Sequence, residues 1–278
     1  MTEEGHATPA PDLEALALAY EAGLAAERAG DRQGAVAAYH RALALDPEDR
    51  GGAAERLAAL GAGGTPERAP PAYVEMLFDQ HAERFDEMLV EQLGYSVPVQ
   101  IRELLEHLAI APAERLLDLG CGTGLSGQSL ADRAAHLTGV DLSEAMLDEA
   151  HAKGVYDALY VGDAAAFLEE TDEPAWDLVV ATDMVPYLGD LAAFAAGLAR
   201  CCAPGGHVAF STETLPGEAI GGAGYRVGPK HRFAHAEVYV RALVQGAGFR
   251  IRAFERIVVR HDEGAPVPGH LVVACKEA

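Results

Sequence analysis

Basic residues are scarce in this chain. Its 278 residues hold 21 lysines and arginines against 43 aspartates and glutamates, a formal charge of −22. Such a surface repels phosphate backbones and anionic lipid headgroups, which argues against nucleic acid and membranes as partners. Cysteine is scarcer still: Cys121, Cys201, Cys202 and Cys275 form no C-x-x-C pair. They read as reduced thiols of a cytosolic protein, with no metal site among them. No apolar run approaches the length of a membrane span. The opening MTEEGHATPAPD lacks the basic and apolar regions of a secretory signal, so a cytoplasmic location is expected. What is abundant is apolar residues, at 50% of the chain, enough for a sizeable core. The length suits one ordinary domain with a small appendage.

Residues 1–11 are polar and contain proline, and read as a flexible tail. Residues 12–60 are rich in Ala and Leu at helical spacing, with Asp12 as a first cap and Gly30-Asp31 as a turn. Gly23, Ala35, Tyr39, Ala42 and Pro47, within and before GDRQGAVAAYHRALALDPED, make this segment resemble a tetratricopeptide (TPR) repeat. It covers about one period of ~34 residues. Ala19 and Ala26 stand where that family commonly has large aromatics. A lone repeat cannot bury its own face, so it must stack on the rest of its own chain, on a second copy or on a protein partner. RGGAAERLAAL supplies a third, capping helix, and GAGGTPERAPP (61–71) reads as a linker.

Residues 72–110 are again helical in pattern, and form the entry to a domain running to residue 278. From Leu116 the texture changes. RLLDLG, HLTGVDL, DALYVGD, WDLVVAT, GHVAFSTE, FRIRAFERIVV and HLVVACKE are short apolar runs with helical segments between them. Strands alternating with helices predict an α/β fold: a Rossmann-like, doubly wound, mostly parallel sheet of seven strands.

The first run ends in DLGCGTGLSG. Glycines after a first strand suit a ligand lying over a tight turn and a helix N-terminus. A phosphate-binding loop would end in Gly-Lys-Ser/Thr, but Gly124 is followed by Leu125 and Ser126. Gly122, Gly124 and Gly127 satisfy the dinucleotide spacing by count. Asp118 argues against that ligand, because a carboxylate beside the turn repels a pyrophosphate. It suits a cationic, amine-bearing ligand such as S-adenosylmethionine. Asp141, ending the second strand, is placed to accept ribose hydroxyls. Asp163, after the third, is placed to accept an adenine amino group, with Leu142 and Met146 flanking the ring.

DLGCGTG, GVDLSEAML, VGDAAAF, WDLVVATDMVPYL and PGGHVAFSTE, in this order, resemble the motifs of class I S-adenosylmethionine-dependent methyltransferases. FDQHAERFD is similar to the helix before the first motif in many small-molecule members, and the whole resembles bacterial TPR-containing methyltransferases. The resemblance implies that Asp118 and the turn of Gly120, Cys121, Gly122 and Gly124 contact the methionine moiety. It assigns Asp141 to the ribose, Asp163 and Ala164 to the adenine edge, and Thr182 and Asp183 to the mouth where the methyl group is transferred.

Methyl transfer from a sulfonium relies on alignment, and an oxygen or carbon acceptor usually also needs a base. Tyr187 in MVPYL is one candidate. GYRVGPKHRFAHAEVYV offers others: His231 and His235 as bases, with Arg226 and Arg232 as cations for a carboxylate- or hydroxyl-bearing substrate. Phe85 is a candidate to close over the ligands. The expected activity is methylation of an O, N or C nucleophile on a small molecule. The alternatives are a protein methyltransferase recruiting its substrate through the TPR segment, and a non-catalytic S-adenosylmethionine-binding scaffold.

Overall fold

In the computed structural model, which describes residues 12–228 and 230–277, two aspartates start the first two helices. The tail expected at 1–11 lies outside the described residues. Asp12 accepts a bond from the Ala15 amide to open α1 (Leu13–Arg28), and Asp31 accepts from Gly34 to open α2 (Arg32–Leu45). The pair closes around Tyr39, which is fully buried against Gly23. A Cβ on Gly23 would lie 2.4 Å from the Tyr39 ring, so only glycine permits this approach. The short α3 (Ala53–Ala59) completes the layer. Its Ala58 and Ala59 pack with Tyr73, Tyr187, Tyr225, Val227 and Phe233, so the helical segment stacks on the larger domain.

The segment expected to be a plain linker is a strap. Arg68 forms an antiparallel bridge with Leu188. The Ala69 amide donates to the Tyr187 carbonyl at 2.9 Å, and the Gly189 and Asp190 amides both donate to the Glu67 carbonyl at 2.8 Å. Proline and glycine composition hid this, because the pairing partner lies far along the chain. The strap leads into α4 (Pro71–Asp79), a 3-10 turn (Ala82–Arg84), a π-helical turn (Glu87–Gln92) and α5 (Val97–His107). Two acids tie this layer down. Asp79 accepts from the Ser143 hydroxyl at 2.6 Å; Asp86 accepts from Lys153 Nζ at 2.6 Å and from the Thr123 hydroxyl.

Five parallel strands follow: β1 (Ala113–Leu119), β2 (Ala134–Asp141), β3 (Ala158–Val161), β4 (Trp176–Ala181) and β5 (Cys202–Glu213). Between and after them run α6 (Leu125–Leu130), α7 (Glu144–Ala152), α8 (Ala164–Glu170), α9 (Ala192–Cys201) and α10 (Gly217–Ile220). The sheet has nine strands rather than the expected seven. The additional pair, β6 (Tyr225–Val227) and β7 (Phe233–His235), is an antiparallel ribbon formed by the basic insertion. It joins the sheet at a single parallel pairing, Glu213 with Ala234. After α11 (Glu237–Gly246), the long β8 (Phe249–Asp262) and β9 (Ala265–Lys276) form a hairpin, β9 lying antiparallel to β5.

The apolar runs alternate their burial between two faces. Leu117, Leu119, Val140, Trp176 and Phe210 form one core, and Ile101, Leu105, Leu116, Leu137 and Leu178 the other. The strand order reverses between β1 and β4, so the chain leaves these neighbours in opposite directions and opens a crevice at their carboxyl ends. Among the described residues no helix is long and apolar enough to cross a membrane.

Gly23→Ala is expected to destabilise the protein by about 1–2 kcal/mol despite alanine's better helix propensity, because Tyr39 cannot yield the space. Chemical denaturation compared with wild type measures this.

Candidate active site

The crevice is lined by the loop after β1, the ends of β2 to β4, and the strap and helices above them. Its empty space is ≈ 900 Å³, part of it open to solvent. Gly120 and Gly122 both have positive φ, at 64° and 54°. Gly120 leaves room for Met184, whose Cβ and Cγ would lie 2.6 Å from an added Cβ. Gly122 faces open space, and its amide donates to Asp141 Oδ2 at 2.8 Å. The Ser143 amide donates to Oδ1 at 2.9 Å. Two amides therefore fix the Asp141 carboxylate at the cleft wall, beside Leu142. Next along the wall, Asp163 caps α8 through the Ala166 amide at 3.0 Å and pairs with both terminal nitrogens of Arg68, at 2.5 and 3.3 Å.

Beyond the glycine loop, Ser126 and Thr182 share a hydroxyl–hydroxyl bond of 2.7 Å. Asp183 follows with φ at 56°, a left-handed conformation unusual for aspartate, its amide bonded to the Ser211 hydroxyl at 3.0 Å. A buried ionic cluster holds it. Arg232 reaches Asp183 Oδ1 and Glu213 Oε1, each at 2.6 Å, and donates to the Tyr187 hydroxyl at 2.7 Å. Arg260 reaches Glu213 Oε1 at 2.7 Å and Asp183 Oδ1 at 3.4 Å. Phe78 and Phe85 roof this end, with Phe78 edge-on to Tyr187.

Of the residues chosen from sequence, the cleft brings together Gly120, Cys121, Gly122, Asp141, Leu142, Asp163, Ala164, Thr182, Asp183, Tyr187 and Phe85. Others lie elsewhere. Asp118 is fully buried, with Tyr156 donating to its Oδ2 at 2.7 Å. Strand alternation explains this: Leu117 and Leu119 face one core, so Asp118 faces the other side of the sheet. The repulsion first argued from Asp118 belongs instead to Asp141, whose carboxylate already takes the Gly122 amide that a phosphate would need. Gly124 sits beneath Tyr156 at the start of α6, and Met146 is fully buried in α7.

The basic insertion does not face the cleft with its histidines. His235 is fully buried, its Nε2 bonded to the Gly189 carbonyl at 3.1 Å, and burial lowers its pKa to about 4. His231 lies beside Glu27 of α1, 3.9 Å away, its pKa lowered to about 4 by burial and then by Arg56. Arg226 is spent on the Ala219 carbonyl, and Arg232 sits behind Asp183 and Tyr187 as their anchor. Sequence reasoning missed Arg68, hidden in an apparent linker, and Tyr95, in a helix-to-helix turn with no motif around it. Both line the cleft.

Burial raises the Asp118 pKa to about 7, against the hydrogen bond from Tyr156 and with help from the charge on Asp141. Its folded pKa therefore exceeds the unfolded value near 4. The stability carried by the neutral carboxyl is present below about pH 4 and is lost as pH rises to about 7. Asp118→Asn is accordingly expected to gain stability relative to wild type between pH 5 and pH 8, by up to a few kcal/mol. Equal differences at the two pH values, from denaturant melts, would refute an acid held protonated there.

Known proteins resemble this chain in sequence and in fold. A family model described as a methyltransferase domain matches residues 117–210. A ubiquinone biosynthesis O-methyltransferase from Alkalilimnicola ehrlichii is 35% identical over 118 residues, which is 41% of this chain and 48% of the relative. One from Hahella chejuensis is 34% identical over 113 residues, 40% of this chain and 48% of the relative. The chain thus spans about half the length of the curated relatives it matches. Among solved structures, the N-methyltransferase NodS from Bradyrhizobium japonicum in complex with S-adenosylhomocysteine has a TM-score of 0.57 at 16% identity, covering 74% of this chain and 99% of that one. The magnesium protoporphyrin IX methyltransferase from Synechocystis with bound S-adenosylhomocysteine has a TM-score of 0.50 at 18% identity, covering 65% and 82%. These likenesses are of fold. Together with the matching family model, they show a Rossmann-like α/β fold whose residues 117–210 are similar to a methyltransferase domain.

Proposed function

We propose that this chain is an S-adenosylmethionine-dependent methyltransferase that methylates an oxygen of a small molecule. The observation that carries the reading is one continuous cleft, running from the amide-fixed carboxylate of Asp141 to Asp183 and Tyr187 under an aromatic roof. The O-methyltransferases among its curated relatives and the S-adenosylhomocysteine held by its structural neighbours support it.

The residues present fit such a cofactor. Asp141 offers a carboxylate to a ribose, Leu142 and Ala164 an apolar slot, and Asp163 an acceptor for an adenine amino group. The open space at Gly122 admits the methionine arm, and the Gly122 amide is already taken by Asp141. When bound, S-adenosylmethionine supplies an electrophilic methyl group: the acceptor's lone pair forms the new bond, and the carbon–sulfur pair stays on a neutral thioether. Asp183 receives the acceptor's proton. Its Oδ1 is held by both arginines, while Oδ2 takes no hydrogen bond among the described residues. Burial outweighs the arginines and raises its proton affinity, as a base requires. The aromatic roof excludes water. The helical segment is a TPR-like unit that uses its own catalytic domain as its stacking neighbour.

Calorimetric titration tests the reading. S-adenosylhomocysteine is expected to bind and NAD to give no heat. Asp141→Ala is expected to weaken S-adenosylhomocysteine at least about tenfold, as befits lost hydrogen bonds to a charged group. Tighter binding of NAD would overturn the proposal. On a verified acceptor, Asp183→Asn is expected to lower kcat by about 100-fold or more, and His231→Asn to leave it unchanged.

A further inference from the structure

The polar groups at the acceptor end of the cleft are nearly all accounted for. Thr182 is bonded to Ser126, Tyr187 to Arg232, and Asp183 to two arginines through one oxygen. Tyr95 is the exception. It lines the cleft, is only 5% exposed, and its hydroxyl makes no hydrogen bond within 3.5 Å among the described residues, although the Thr182 hydroxyl influences it as a hydrogen-bonding neighbour. The Tyr95 amide is anchored to the Leu89 carbonyl at 3.0 Å, so its place is set by the helices above. Asp183 lines the same cleft. A buried hydroxyl without a partner is costly, and phenylalanine would fill the same space without that cost. The hydroxyl is therefore explained by a ligand.

The surroundings describe that ligand. Phe78, Phe85, Leu89 and Met184 give it apolar walls. The charges of the nearby guanidinium groups are matched, Arg68 through its two terminal nitrogens by Asp163, and Arg232 and Arg260 by Asp183 and Glu213, so each already has an internal carboxylate. A hydroxyl oxygen has two lone pairs and one proton. With its proton directed to Asp183 and one lone pair taking the Tyr95 O–H, it keeps a second lone pair for the methyl group. An amine nitrogen has a single lone pair, which the same donor would consume.

We propose that Tyr95 is the residue that recognises and orients the acceptor, donating to an uncharged hydroxyl on an apolar, ring-sized molecule and selecting oxygen over nitrogen. This rests on the methyltransferase reading above.

The test uses the full chain saturated with S-adenosylhomocysteine, titrated with 4-methylphenol and with toluene, the same ring without the hydroxyl. Wild type is expected to bind 4-methylphenol at least about tenfold more tightly. Tyr95→Phe is expected to bind both alike, with toluene affinity unchanged and a melting temperature equal to or above wild type, since no internal bond is lost. A retained tenfold preference in Tyr95→Phe, or no preference in wild type, would overturn the assignment. Binding of S-adenosylhomocysteine, measured first, separates the two failures. Its absence overturns both readings; its presence without a hydroxyl preference overturns only the role of Tyr95.

Discussion

Two arginines and two carboxylates, buried together behind the cleft, are the constraint on which the acceptor end depends. Asp183 follows β4, Glu213 ends β5, Arg232 precedes β7 and Arg260 lies in β8, so four separate segments meet in one cluster. Removing one member of a buried ion group leaves its partner's charge uncompensated, a loss of about 3–5 kcal/mol. The cluster fixes the left-handed turn at Asp183, leaves one carboxylate oxygen free, and holds the Tyr187 ring against the roof. The cofactor end has its own, smaller constraint, the two amides that orient Asp141.

The same cluster explains why the insertion after β5 is basic in so acidic a chain. Its cations answer acids of the protein itself: Arg232 takes Asp183 and Glu213, and Lys230 takes Asp262 and Glu263. The charge that seemed aimed at a carboxylate substrate is internal. Of the carboxylate- or hydroxyl-bearing acceptors expected from sequence, this favours the hydroxyl-bearing kind.

Much of the fold was legible because its signals are local. Each of the seven expected strands is a short apolar run, and Asp141 and Asp163 stand out as acids at strand ends. The ribbon of β6 and β7 was not legible, since three-residue strands carry no pattern of their own. Asp118 was misjudged by proximity to the glycines, although the parity of its leucine neighbours already assigns it to the other face. Arg68 and Tyr95 carry no local signal at all. Only the folded chain brings Arg68 to Asp163 and Tyr95 to the lining of the cleft. The histidines of the insertion illustrate the converse: residue type advertised a base, and the fold places neither of them among the residues that line the cleft.

The central claim is methyl transfer to oxygen on a small molecule within this cleft. Incubating the purified chain with methyl-labelled S-adenosylmethionine and a cell extract tests it most directly, with the label traced into small-molecule and protein fractions. The account expects label in the small-molecule fraction, on an ether oxygen. Label confined to protein, or no transfer by a chain that binds S-adenosylhomocysteine, would contradict it.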